Sequence, residues 1–481
     1  MTHSPSERAA WFRAGSQRCD VAVIGAGAIG ATVYRRLGEA GYRVVMVDRG
    51  DVGGGASQGS ANLIWGGLLY LSRGRLDEVV RWCAERDGLT ANRASGVTRL
   101  PCLYRIAPSR RSPLLVHAAL LGYWMLGRCR GMLPWRSQGH IHFAEARLDL
   151  PDARWSWRQV AMTPPGCVAA TWSAIESISR CPGGWTMVLN DRRSGGSMRL
   201  EAALVVNAGG AWAGKIDAQA GIDHGWDIVP SRGVSLVVAG VRPTALMIEH
   251  PRERDVLSLV PFPGADACIW GSTETLVTDP DAALAPSQAE VSELVRLHRQ
   301  LVGPLSRAQV LAVRCGVRAL AVRRGAAVKR SQDLTRSFRI LDREPGWITI
   351  LGGKLTGAEA AARHVLGQAR RGLGGRPPPA SFSLPVAPTI HFPGLDQPLP
   401  DPGWCREHEQ CWTLDSWLRR RTPVAQLVAG GGLGLQDQHH EQVQHIAAAI
   451  HGSDGAEALA DYRARLADLD LTLRKACAEP C

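Results

Sequence analysis

The sequence predicts an α/β protein: a Rossmann-like nucleotide-binding domain, an inserted domain on a mixed or antiparallel sheet, and a small C-terminal helical domain. Three patterns carry that expectation. "CDVAVIGAGAIGATVYRRLGEAGYRVVMVDRG" reads as strand, glycine turn, helix and second strand. The middle of the chain holds short strand-like runs, "WTMVLN", "ALVVNAGG", "VSLVVAG", "DVLSLVPF" and "ACIWGST", which suit a largely antiparallel sheet. Beyond the connector "RPPPASFSLPVAPTIHFPGLDQPLPDPG" the pattern turns helical, and such a Pro-rich run marks a linker.

The chain therefore divides into a polar tail (1–17), a discontinuous nucleotide-binding domain (18–100, 150–228 and 310–372), a substrate or cap domain (101–149 and 229–309), a Pro-rich linker (373–402) and the helical domain (403–481). With 481 residues there is enough chain for two or three domains. A hydrophobic content of 45% and a charged content of 21% are those of a globular protein and exclude a disordered or collagen-like chain. The net charge of +12 is scattered and almost entirely arginine; the lysines are Lys215, Lys329, Lys354 and Lys475. No nucleic-acid-binding module is visible, so a nucleic-acid partner is not expected.

The 12 cysteines form no CxxC pair and match no zinc spacing, which points to a reducing compartment without a disulfide framework. "CAEPC" is a loose pair on the tail, and "HHEQVQH" reads as a solvated helix face, so no metal site is expected. The N-terminal residues lack the apolar core of a signal peptide. The longest apolar segment, "PLLVHAALLGYWMLG" (113–127), is shorter than the ~20 residues a spanning helix needs. It reads as a buried helix. An interfacial membrane-docking helix is the alternative, favoured by Arg110 and Arg111 before it and Arg128 and Arg130 after it.

Gly25, Gly27 and Gly30 stand in GxGxxG spacing between a Val/Ile strand and a helix. The first permits a sharp turn, the second lets a pyrophosphate approach the backbone, and the third lets helix and strand pack closely. Asp48 closes the second strand, where an acid can bind a ribose hydroxyl. That argues against a 2′-phosphate and leaves NAD and FAD open. Two distant segments favour FAD. "LVVNAGGAWAGKI" runs from a strand into Gly209-Gly210, and "ITILGGKLTGAEAAARHVL" runs from a strand into Gly352-Gly353 and a helix. The second would aim a helix N-terminus at the electron-rich end of a flavin. The uncharged stretch "GSANLIWGGLLYL" (59–71) sets Gly66-Gly67 in an apolar run, as expected where something must come close to the backbone.

Together these pieces resemble the FAD-dependent glycerol-3-phosphate dehydrogenases, within the D-amino-acid-oxidase-like flavoprotein superfamily. The resemblance spans residues 18 to 425 and rests on "DVAVIGAGAIGA", "GSANLIWGGLLYL", "VVNAGGAW", "GSTET", "CGVRAL", "DLTRSF" and "GGKLT". "HEQCWTLDSWLRRRT" resembles the start of that family's helical domain, which is short here. The resemblance implies that the 59–71 stretch wraps the flavin, with Ser57 and Ser60 on the phosphate side and Gly66 and Gly67 against the isoalloxazine ring. It implies that Gly353, Lys354, Leu355 and Thr356 also hold the cofactor. Substrate-site equivalents are Tyr70 (pocket wall or hydrogen-bond donor), Arg318 (anion clamp) and Lys354 (stabiliser of the substrate oxygen and the flavin).

The chain departs from the family's "SSKLIHGGLRYLE": Asn62 replaces a lysine, Trp65 a histidine, and Leu69 an arginine that helps bind the substrate phosphate. Ser235 stands where the family carries an active-site histidine. The expected activity is hydride transfer from a small alcohol to flavin N5, with electrons passed to a quinone-type acceptor, as in glycerol metabolism. Loss of the phosphate-binding arginine keeps amine or 2-hydroxy-acid oxidation open, and a flavin-binding scaffold without catalysis is a further reading. A NAD-dependent enzyme would require protein purified without flavin. The resemblance also implies a homodimer and a cytoplasmic protein in peripheral contact with the inner face of the membrane.

Overall fold

The computed structural model describes residues 4–71, 74–106, 111–252, 255–328, 334 and 337–478. Its first sheet is built on the strand Ser16–Ile24, which pairs in parallel with Val44–Val47 on one side and Ser197–Asn207 on the other. Val44–Val47 is buried along its whole length, as expected of a parallel strand covered on both faces. Val168–Ala170 and Trp347–Leu351 extend the parallel core outward. Helices Ala28–Glu39 and Ala358–Leu373 pack against each other over one face. Their charged sides are joined by Glu359, which accepts from both Arg35 and Arg36.

Of the runs expected from the middle of the chain, "WTMVLN" and "ALVVNAGG" belong to the first sheet, where Ser197–Asn207 is a parallel strand, whereas the second sheet holds the other three, "VSLVVAG", "DVLSLVPF" and "ACIWGST". Its longest pairing joins Trp226–Ala239 to Val310–Arg323 and sets Ser235 opposite Arg314, Gly233 opposite Gly316, and Ser231 opposite Arg318. Strands Val97–Arg105 and His140–Leu148, and the short Leu63–Ile64, belong to this sheet. The two sheets are brought together by a glycine crossing. A Cβ on Gly59 would lie 2.7 Å from both Cα and N of Gly316, so only two glycines allow the backbones this close.

Residues 5–13, read from sequence as part of a polar tail, form a helix with a Ser4/Glu7 capping box. It buries Phe12, and its buried Arg8 reaches Asp191 at 2.8 Å and Ser173 at 3.1 Å. The segment read as a buried helix, Pro113–Leu126, is buried on one face only. Val116, Leu120 and Tyr123 point inward, while Leu114 is 69%, Leu115 65% and Met125 60% exposed. Among the described residues, no helix is long and apolar enough to cross a membrane.

The C-terminal helices Pro402–Glu409, His440–His451 and Gly455–Ala478 enclose a core around Trp417, Leu418, Val443 and Leu459. A turn at Ser416–Arg421 fastens them to the first domain. Arg421 grips Asp51 with both Nη atoms, at 2.8 and 2.9 Å, and its guanidinium lies 4.7 Å from the Trp157 ring centre. Burial would raise the Asp51 carboxyl, but Arg421 and then Arg420 outweigh it and hold it below the ordinary carboxylate range. Removing one partner of a buried pair strands the other, so Arg421→Ala should destabilise the fold by about 3–5 kcal/mol at neutral pH in chemical denaturation. A carboxyl depressed in the folded state stabilises the fold above its unfolded pKa of about 4 and loses that effect as pH falls through the folded value. The gap between wild type and Arg421→Ala should therefore be full at neutral pH and close in acid. A gap that widened in acid would contradict the assignment.

Candidate active site

Between the two sheets runs a cleft of about 700 Å³. Its nucleotide end is shaped by glycines. Gly25 adopts φ +101°, and a Cβ there would lie 2.6 Å from the Ala208 carbonyl oxygen. Gly30 does not line the cleft; a Cβ on it would overlap the Gly25 carbonyl, so it lets the helix close on the turn. Gly27 lines the cleft at the N-cap of helix Ala28–Glu39. There Ser57 Oγ accepts the Ala28 N–H at 2.9 Å and lies 3.2 Å from where a Gly27 Cβ would stand. A helix N-terminus lining a cleft beside a hydroxyl suits an anion.

Asp48 also lines the cleft. Its carboxylate accepts from the Ala26 N–H at 2.7 Å and from the Gly50 N–H at 2.8 Å, so it braces the glycine turn from the second strand. Burial pushes its carboxyl upward, against those two amides. Ser60 lines the same wall; its N–H donates to Asp152 at 3.1 Å and its hydroxyl accepts from Asn62 at 2.9 Å. Gly209 completes this wall, on the turn after the strand Ser197–Asn207.

The cleft is also lined by Gly67, Gly353, Lys354, Leu355 and Thr356. Gly353 needs its glycine: it has φ +107°, and a Cβ would lie 2.6 Å from Ile29 Cδ1. The expected glycine pair divides here. Gly67 lines the cleft, whereas Gly66 lies behind the wall, donates to Glu145 at 3.2 Å and leaves no room for a side chain against Tyr123 and Arg86. Behind it Arg86, Glu145 and Tyr123 form a buried cluster: Arg86 reaches Glu145 at 3.0 Å and Tyr123 at 2.8 Å, and Tyr123 donates to Glu145 at 2.5 Å. Nothing in the spacing of these residues announces the cluster. Tyr70 is also behind the wall rather than part of it; Lys354 Nζ lies over its ring, 4.5 Å from the centre.

The second sheet supplies the facing wall, including Ser235, Ser258, Ser272 and Arg318. Arg318 Nη2 donates to Ser272 Oγ at 2.7 Å, and its Nη1 donates to the Thr273 carbonyl at 3.2 Å and lies 4.0 Å from Glu274. A side chain on Gly233 would overlap the guanidinium, so that glycine is the room Arg318 occupies. Arg318 and Ser235, named from the motifs around them, both line the cleft, whereas Gly233 has no sequence signal beyond a glycine within a strand-like run. Trp65 lines the cleft; the Leu69 side chain lies outside the described residues, and the "DLTRSF" run is described only in part.

A sequence model of the DAO family, described as FAD dependent oxidoreductase, matches residues 20–362. The chain belongs to the FAD-dependent oxidoreductase family. It is 28% identical over 397 residues to glycerol-3-phosphate dehydrogenase 1 of Mycobacterium bovis, covering 73% of this chain and 72% of that one. The fold of the Bacillus halodurans glycerol-3-phosphate dehydrogenase complexed with FAD superposes with TM-score 0.70 over 98% of each chain at 19% identity. The L-alpha-glycerophosphate oxidase of Mycoplasma pneumoniae with FAD bound gives 0.58 over 75% of this chain and 96% of that one at 15% identity.

The cleft fits FAD: the same space is lined by the glycine turn, the helix N-terminus with Ser57, the turn at Gly209 and the segment Gly353–Thr356. Gly25→Val should yield protein whose visible flavin absorbance per chain falls at least about tenfold, because the side chain meets fixed backbone in a left-handed conformation. Full flavin content in that variant would refute the placement.

Proposed function

We propose that this FAD-dependent oxidoreductase oxidises the hydroxyl carbon of a small anionic alcohol, with glycerol 3-phosphate the first substrate to test. The observation that carries the proposal is the pairing of Arg318 on one wall with Lys354 on another wall of the same cleft. Two curated relatives bearing the glycerol-3-phosphate dehydrogenase name point the same way. Bound FAD supplies the hydride-accepting redox chemistry.

The chain's own residues do the rest. Arg318, already oriented by Ser272 and the Thr273 carbonyl, clamps the substrate anion. Lys354 Nζ stabilises the substrate oxygen as it loses its proton, and the Tyr70 ring beneath it limits where that ammonium can sit. Trp65 and the neighbouring leucines exclude water from that end. Residues 310–323, assigned from sequence to the nucleotide-binding domain, pair into the second sheet, so in this reading Arg318 meets the substrate from the cap side and Lys354 from the nucleotide-binding side.

One observation favours a second reading. Glu274 stands 4.0 Å from Arg318 and takes up part of its charge, which suits a monoanionic carboxylate better than a phosphate dianion. A 2-hydroxy acid or amino acid is then the substrate. For the acceptor we propose a membrane quinone reached through peripheral contact. Exposed Leu114, Leu115 and Met125 form an apolar face, with Arg111 and Arg128 at its ends.

Anaerobic addition of sn-glycerol 3-phosphate should bleach the flavin absorbance at rates compatible with turnover. Arg318→Ala should raise the substrate concentration needed for half-maximal bleaching about 10–100-fold, the effect of losing a charged hydrogen-bonding partner. An oxidised spectrum with glycerol 3-phosphate, and bleaching by 2-hydroxy or amino acids instead, would select the second reading. A flavin that no such substrate reduces would sink both and leave the scaffold reading.

A further inference from the structure

The turn Ser416–Arg421 places three consecutive arginines beside the nucleotide end of the cleft, and their uses differ. Arg421 is spent on Asp51 and on Glu409. Arg419 is spent on Asp152 and on the Gln58 carbonyl. Arg420 is the member of the row that lines the cleft. Its Nη1 donates to Asp415 at 2.7 Å and its Nε to Gln58 Oε1 at 3.2 Å, while Nη2 has no hydrogen-bond partner among the described residues.

Two further observations bear on that free edge. Gln58 follows Ser57, whose hydroxyl caps the helix N-terminus beside Gly27, so Arg420 is tied to the same short turn that meets that helix N-terminus. The local charge is also unbalanced. The guanidiniums of Arg154, Arg314, Arg419, Arg420 and Arg421 meet the carboxylates of Asp51, Asp152, Asp415 and Glu409, leaving one positive charge over. Arg314, fully buried against Asp152, has its Nε and Nη1 without hydrogen-bond partners among the described residues. Such a region is completed by an anion, and a planar guanidinium edge suits phosphate oxygens.

We propose that Arg420 is a phosphate ligand of the dinucleotide cofactor, supplied by the C-terminal helical region, so that FAD binding and docking of residues 402–478 strengthen each other. The inference rests on FAD lying in the cleft with its phosphates at the glycine turn. By linkage, whatever factor FAD adds to docking, docking adds to FAD affinity.

The test uses the full-length chain, stripped of flavin and titrated with FAD or with riboflavin, which has no phosphate, following flavin fluorescence. Arg420→Gln should weaken FAD binding about 10–100-fold and leave riboflavin binding unchanged. Arg420→Lys should recover part of the FAD affinity. In parallel, FAD should slow protease cleavage of the connector 374–398 in wild type and do so much less in Arg420→Gln. Equal loss of FAD and riboflavin affinity would mean that Arg420 only props the Gln58 turn, and would overturn the proposal. So would unchanged FAD affinity. Wild-type protein that bound no FAD would overturn the cofactor placement itself, a result distinct from either.

Discussion

The backbone crossing of Gly59 over Gly316 is the constraint on which the site depends. It holds a loop of the nucleotide-binding unit against the strand Val310–Arg323 of the second sheet at a separation that no side chain permits. Two residues before Gly59, Ser57 sits on the helix N-terminus; two residues after Gly316, Arg318 faces the cleft. The distance between the anion-binding end and the substrate end is thus set by main chain, not by flexible side chains. Positioning of that kind is what redox catalysis needs from a protein when the cofactor carries the chemistry.

Around this crossing the buried charges form linked groups of ion pairs. Asp152 receives Arg314 and Arg419 from separate parts of the chain, and Asp51 receives Arg421 from the C-terminal region. Buried pairs of this sort add little over an apolar contact, yet breaking one is costly. Their effect is to fix which surfaces meet. They lock the C-terminal helices onto loop 51–60, and that loop forms one wall of the cleft.

What was legible in the sequence was local. Gly25, Gly27, Gly30 and Asp48 declare themselves because turn, helix start and strand end follow one another within thirty residues. The strands of the second sheet showed through their short apolar runs, and Arg318 and Lys354 through the motifs around them. What escaped depends on contacts between distant residues. Gly66 and Gly67 are neighbours in one apolar run, but the backbone turns between them, so one meets the cleft and the other the Arg86–Glu145–Tyr123 cluster. Tyr70 lies behind Lys354 for the same reason. The N-terminal helix looked like a polar tail because its main anchor is an arginine, Arg8, buried by Asp191 some 183 positions away.

The central claim is that one cofactor spans the cleft and touches segments remote in sequence. Amide hydrogen exchange on the full-length chain, with and without FAD, tests it most directly. The account predicts that FAD protects the turn 25–28, the loop 54–61, the turn 208–212 and the segment 352–356 together. Protection confined to 25–48, with the other segments unchanged, would show that only the first strand-turn-helix unit holds the ligand, and would contradict the account.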